Sequence, residues 1–175
     1  MQNLIEIADQ NGVPIGGTLP ALPEGESPGP TFFISALQDP GSDGAPGTPL
    51  ERIQVVKGWL DNDGEAQEKV FDVAGGDRSA GVDLNTCETS GEGYPTLCAV
   101  WTDPEFDPTH RAFYYARILE NPVCRWSTVL CNELGVDCSD ADNVPEDLAA
   151  CCHPTIQAQR SIQERAWSSP IWYKP

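Results

Sequence analysis

Residues 101–126, WTDPEFDPTHRAFYYARILENPVCRW, decide how the rest of the chain is read. Their centre, Ala112 to Leu119, predicts a β-strand: it is dense in aromatic and aliphatic residues, carries no Gly or Pro, and is bounded by Asp-Pro and Asn-Pro turn signals. Side chains alternate along a strand, so Phe113, Tyr115, Arg117 and Leu119 share one face and Tyr114, Ala116 and Ile118 the other. Both faces are largely apolar, which predicts a central strand covered on both sides. Arg117 stands out. A buried, unpaired charge costs several kcal/mol, so this side chain needs a carboxylate or carbonyl partner. A structural ion pair is favoured over a ligand-binding arginine.

Strands also dominate outward from this segment. Thr31 to Gln38, Arg52 to Leu60 and Gln67 to Ala74 read as strands, separated by the Pro/Gly-rich loop Asp39 to Pro49 and by the segment DNDGE, residues 61–65. That segment resembles the opening of an EF-hand loop. The flanks are strand-like rather than helical, however, and position twelve from Asp61 is Asp72, within the next strand. An Asp-Gly pair between two strands favours a hairpin over a calcium loop. Gly75 to Gly81 reads as a loop, and Val82 to Cys87 with Thr96 to Trp101 as a hairpin that brings Cys87 to Cys98. Ser127 to Leu134 predicts a short helix capped by Ser127 or Thr128 and stopped by Gly135. A second short helix is expected from Pro145 to about Cys151. Ahead of these elements, Met1 to Asp9 fits neither a helix nor a strand well, and Pro20 to Pro30 reads as an exposed connection. The C-terminal stretch Gln163 to Tyr173 is too aromatic to dangle in water. It should dock as a strand in the same assembly as Phe113 to Leu119, with Ile171 and Tyr173 on one face, Trp172 on the other, and Glu164 near Arg117 or Arg125.

Composition narrows the function. The 175 residues contain 27 acids and 10 bases, for a net charge of −17. No basic stripe exists to neutralise phosphates, which argues against nucleic acid as a partner, and no apolar run approaches membrane-spanning length. Seven cysteines without a C-x-x-C pair favour disulfides over zinc. Among Cys124, Cys131, Cys138, Cys151 and Cys152 the connectivity stays open, with up to two bridges and one thiol left over. The start of the chain has no basic and apolar leader of the signal-peptide kind.

Catalytic patterns are scarce. His110 and His153 lie far apart in turns next to proline, and no H-x-H, H-E-x-x-H or G-x-S-x-G occurs. The glycine-rich GVPIGG at 12–17 lacks the Lys-Ser/Thr ending of a phosphate cradle. Cys152 beside His153 is a poor nucleophile pair because sequence neighbours rarely face each other. Asp103, Glu105 and Asp107 read as consecutive turns rather than paired carboxylates. No catalytic, cofactor-binding or metal-ligating residue is therefore assigned.

Several motifs together resemble a known family: ERIQVVKGW (51–59), EKVFDVA (68–74), VWTDPEFDP (100–108), RAFYYARILENP (111–122), RWST (125–128) and QERAWSSPIWY (163–173). They are similar to the C-terminal portion of a family of large exported proteins of unknown function, itself similar to PHP-type (polymerase and histidinol phosphatase) metallohydrolases. The match runs in order from GVPIGG to Tyr173. It implies a phosphoesterase-type, metal-dependent hydrolase whose histidine motifs and divalent metal belong to an upstream catalytic core, with none carried on this chain. It implies a periplasmic or extracellular protein whose export signal also lies upstream. The expectation is then a mainly β chain, an antiparallel immunoglobulin-like sandwich with two short helices. Residues 1–30 would be an irregular segment continuing from the core, and 31–175 a non-catalytic accessory domain packing on that core. The alternative is a free-standing secreted binding module held by disulfides. An autonomous enzyme lacks a constellation to support it.

Overall fold

A computed structural model describes residues 2–21, 29–76 and 78–175. Most of the expected connection from Pro20 to Pro30, and Asp77 in the loop after Gly75, lie outside the described residues. The elements in order are helix α1 (Gln2–Asn11), β1 (Thr18–Leu19), β2 (Thr31–Leu37), β3 (Leu50–Leu60), β4 (Ala66–Gly75), β5 (Gly81–Val82), β6 (Thr89–Ser90), β7 (Thr96–Thr102), β8 (Ala112–Glu120) and β9 (Val123–Cys124). Then come helix α2 (Trp126–Glu133), two 3₁₀ segments (Cys138–Asn143 and Glu146–Cys152), the helical turn α3 (Pro154–Gln157), β10 (Ser161–Ile162), β11 (Arg165–Trp167) and β12 (Ile171–Tyr173). The mainly β expectation is met. The N-terminal residues contain a helix and a short strand.

The main sheet is six-stranded, in the order β1-β12-β8-β3-β4, with β11 also on β8. Strand β8 is central as expected: one edge carries β3, and the other carries β11 and β12 in succession. Pro170 separates those two short strands, consistent with its missing N–H. A second layer, the antiparallel ribbon β2–β7, lies across one face of the sheet. Its inward residues Phe32, Ile34, Leu97 and Trp101 meet Ile53, Val55, Tyr114 and Tyr173 of the sheet.

The face of β8 carrying Tyr114 is thus covered, with Tyr114 at 2 % exposure. The other face is not covered as expected. Phe113, Tyr115 and Arg117 on it are half-buried, and their neighbour across the strands, Trp172, is 44 % exposed. An apolar composition on both faces of a strand shows that both avoid water, but not which face the chain itself covers.

The cysteines depart further from expectation. Cys98 lies on β7 and points away from the core as a free, exposed thiol. Thr96 to Trp101 pairs with β2 rather than with Val82 to Cys87, which explains the separation. Cys87 sits in a tight turn with φ 60 and bridges Cys124. Cys131–Cys151 and Cys138–Cys152 complete three disulfides. Cys131–Cys151 joins α2 to the second 3₁₀ segment and Cys138–Cys152 joins the two 3₁₀ segments, which makes a stapled cap beside the sheet. The second expected helix is 3₁₀, preceded by Pro145, and α2 is preceded by Arg125 rather than by Ser127 or Thr128. Gly135 with φ 66 follows α2, as a stop residue should.

Candidate functional site

Three features of this frame have chemical content, and the first is buried. Lys57 on β3 points to the covered face, where its Nζ lies 2.6 Å from Asp103 Oδ2 and donates to the Glu105 carbonyl at 2.8 Å. The Tyr114 hydroxyl donates to the same Asp103 oxygen at 2.7 Å, and Asp103 Oδ1 accepts from the Glu105 N–H at 2.9 Å. Burial first, then the bond to Asp103, raises the Tyr114 pKa far above that of an ordinary phenol, so the hydroxyl stays a neutral donor. The three contacts made by Lys57 and Tyr114 tie the loop between β7 and β8 to the sheet, and the fourth closes a turn within the loop. Asp103 does form the turn that its sequence predicts, but its second oxygen pairs with an amine. Sequence alone gave no sign of that pairing, because Lys57 alternates among apolar residues like any solvated strand lysine.

The second feature is the uncovered sheet face. Gly58 is flat here because a Cβ would collide with the ring of Phe113, which lies over it. Phe113 stacks on Tyr115 with centroids 6.3 Å apart and tilts against Trp172 at 5.6 Å. A groove of about 510 Å³ runs past Gly58, Leu60, Ala66, Phe113 and Trp172. On the same face Arg117 Nε donates to Gln54 Oε1 at 2.7 Å. Of the carboxylate or carbonyl partner expected for Arg117, the structure supplies the carbonyl, that of the Gln54 side-chain amide, and no ion pair with Arg117 occurs among the described residues; the face is half open to water and does not demand full neutralisation.

The third feature is a cleft of about 610 Å³ between the β9–β10 ribbon and β11. Arg125, Gln163, Glu164, Arg165 and Trp167 line it, with Glu51. Glu51 is held by Arg52 Nε at 3.0 Å and by Gln163 Nε2 at 3.0 Å. Glu164 forms no ion pair with Arg117 or Arg125 among the described residues; its backbone carbonyl accepts from the Glu120 N–H instead. Burial first, then the charges of Glu164 and Asp39, raises the Glu120 pKa.

The remaining sequence candidates resolve structurally. Asp61 Oδ1 accepts from the N–H groups of Asp63 and Glu65 at 3.0 and 2.9 Å and closes the β3–β4 hairpin. The backbone bond from Glu65 is the main cause of its lowered pKa. Asp72 pairs with Arg52 at 2.9 Å rather than facing Asp61. Asp107 Oδ1 accepts from the Thr109 N–H at 2.8 Å, a turn as expected. Cys152 is disulfide-bonded, and His153 Nδ1 accepts from the Thr155 N–H at the start of α3, so the two form no nucleophile pair. Among the described residues, no group of three or more His, Cys, Asp or Glu side chains is arranged to hold a metal ion.

A family model described as "Protein of unknown function (DUF3604)" matches residues 1–175. The chain belongs to this family. No curated protein and no solved structure matches it. The three disulfides suggest an oxidising, extracellular-type compartment. No helix among the described residues is long and apolar enough to cross a membrane. Membership therefore ties the chain to a family and leaves its chemistry to the geometry. The cleft escaped sequence reading because its walls come from four separate stretches, around residues 51, 80, 125 and 165. The one available signal was QERAW, where Gln163, Arg165 and Trp167 occupy alternate positions and so one face of a strand.

Proposed function

We propose that this chain is a non-catalytic accessory domain of a PHP-like, metal-dependent hydrolase of phosphoesterase type, and that it packs on the catalytic core through the uncovered face of its sheet. The metal-binding and catalytic groups would belong to that core, upstream in the same protein, and the whole would work in the periplasm or outside the cell. The observation that carries the reading is the groove beside Phe113 and Trp172, with Tyr115 stacked on Phe113 next to it. Large rings on a flat, rigid sheet each gain roughly 1.5–3 kcal/mol when a partner covers them, and Gly58 keeps the surface flat enough for close approach. The PHP assignment is supported by the ordered run of motifs from ERIQVVKGW to QERAWSSPIWY. The sheet and the β2–β7 ribbon would then be the two layers of a reduced immunoglobulin-like sandwich.

The test is reconstitution. The upstream region of the same reading frame is expressed separately, mixed with this chain, and assembly is measured by calorimetry and size-exclusion chromatography. A one-to-one complex is expected, and Trp172→Asp should abolish it while leaving the far-ultraviolet circular dichroism of the chain unchanged. Unaltered assembly by Trp172→Asp, or an upstream region without histidine-rich metal motifs, overturns the reading.

A further inference from the structure

The cleft beside Trp167 lies at the opposite end of β8 from the aromatic groove. Arg117, opposite Trp167, and Phe113, opposite Trp172, are four residues apart, roughly 13 Å along a strand. Around this end the scarce cations gather. Arg52 and Arg165 flank Leu119 in one row of the sheet, and Arg117 follows two rows on. Arg125 joins Arg165 in the cleft wall, so two of the ten basic residues of a chain with net charge −17 line it, while Arg52 and Arg117 nearby are held by Glu51, Asp72 and Gln54. Neither Arg125 nor Arg165 has a carboxylate partner among the described residues. Arg125 Nε is shut off from solvent and has no hydrogen-bond partner. An atom closed to solvent is closed to a ligand as well, so a ligand in the cleft would meet the terminal nitrogens of this guanidinium rather than its Nε.

The rest of the lining is specific in character. Trp167 is 59 % exposed, an indole face offered to solvent at the rim. The Gln163 amide nitrogen is committed to Glu51 and to the Glu120 carbonyl, which fixes the side chain and leaves its amide oxygen free to accept. The Glu164 carboxylate supplies further acceptors. Two cationic forks, two kinds of oxygen acceptor and one open indole discriminate among ligands. A bare phosphate or sulfate would use the arginines and leave Trp167 and the acceptors idle. A neutral sugar would stack on Trp167 and bond the acceptors, but it would leave Arg125 unmet. A pyranose bearing a carboxylate uses each kind of group: its apolar C–H face lies on the indole, its hydroxyls donate to Glu164 and Gln163, and its carboxylate takes the planar fork of one guanidinium. The volume of about 610 Å³ is that of a small-molecule site.

We infer that the cleft bounded by Arg125, Arg165 and Trp167 binds a uronic acid residue of an acidic polysaccharide. This goes beyond the accessory-domain reading and stands apart from it, since the sugar site and the docking groove occupy different ends of the sheet.

The test titrates the whole chain with tetragalacturonate and with a tetrameric alginate fragment, following tryptophan fluorescence and calorimetry. Saturable binding with a change in tryptophan emission is expected for at least one of them. Cellotetraose should bind at least tenfold more weakly, and Arg165→Gln and Trp167→Ala should each weaken uronate binding at least tenfold. Both substituted residues lie on exposed β11, so folding should be preserved, and the far-ultraviolet spectrum checks this. Arg125→Gln should act in the same direction, whereas Lys174→Gln, at the far end of the sheet, should change nothing. Absence of saturable binding by either uronate overturns the inference. So does wild-type affinity in both β11 variants, equal affinity for cellotetraose, tighter binding of a sulfated galactan tetramer, or equal competition by inorganic phosphate. None of these outcomes bears on assembly with a catalytic core, which the Trp172→Asp variant reads separately.

Discussion

Replacing Lys57 by Met should destabilise the chain more than any surface substitution. Lys57 and Asp103 have side-chain exposures of 6 % and 0 %, so their 2.6 Å contact is almost dry. Removing the amine leaves the Asp103 carboxylate buried, with only the Tyr114 hydroxyl and the Glu105 N–H to hold its charge. Breaking one side of such a pair costs about 3–5 kcal/mol, a large part of a total stability of about 5–15 kcal/mol. For a chain of this size each kcal/mol moves Tm by about 2–4 °C, so a fall of roughly 6–20 °C is expected. Asp103→Asn should cost a similar amount, because Lys57 then loses its counter-charge and keeps the Glu105 carbonyl and the faces of the Trp59 and Tyr114 rings. The double variant should cost at least ~2 kcal/mol less than the two singles summed, since the second substitution removes a charge already orphaned. Urea melts at pH 7 on oxidised protein, followed by tryptophan fluorescence, measure all three. If Lys57→Met melts within 1 kcal/mol of the wild type, or the two substitutions simply add, the contact is not the buried pair described.

Other expectations follow from the cysteines, the pH dependence and the C-terminus. Without reduction, iodoacetamide should modify Cys98 alone, and mass spectrometry should find Cys87 joined to Cys124; modification of Cys87 contradicts that bridge. Because folding raises the Glu120 pKa, the fold favours the neutral carboxyl: its contribution is fully present below the unfolded pKa and is lost as pH rises through the folded pKa. Glu120→Gln should therefore raise Tm at pH 7, with the gain shrinking as pH is lowered through the folded pKa; an equal gain at low pH refutes the assignment. Deleting Ser168 to Pro175 removes Tyr173, which is 2 % exposed, packs edge-on against Phe106 and donates to the Pro108 carbonyl at 3.0 Å. That truncation should unfold or aggregate the chain, whereas loss of Lys174 and Pro175 should leave a thermal melt unchanged.

What was legible in the sequence was set by local rules. Period-two alternation and Asp-Gly turn chemistry placed β2, β3, β4 and β8, and the aromatic C-terminus docked on β8 with Tyr173 inward and Trp172 outward, as its alternation requires. What failed depended on pairings between distant strands. Thr96 to Trp101 looks like the partner of any nearby strand, and only the long-range β2–β7 ribbon takes Cys98 away from Cys87. The arginine cleft was illegible for the same reason: Arg125 and Arg165 are forty positions apart and meet only when β9 and β10 pair.

The cysteine-rich cap explains how such a cleft keeps its shape. Among its described side chains from Cys124 to Arg160, only Thr128 and Cys151 are buried, far too little apolar surface to order the segment by packing. Disulfides across separations of 37, 20 and 14 residues take over that role, each limiting the unfolded chain by about 3 kcal/mol or more in the loop-entropy view. Cys124 immediately precedes Arg125, whose N–H donates to the Arg160 carbonyl, and that carbonyl also accepts from the Thr128 hydroxyl. The position of Arg125 is thus fixed by a covalent bridge and a shared acceptor rather than by a core. The main sheet depends instead on Ile53, Val56 and Tyr114, none of which is part of a bridge. Reduction should consequently loosen the cleft wall at Arg125 before it disturbs the sheet, so the cleft keeps its geometry only where disulfides persist.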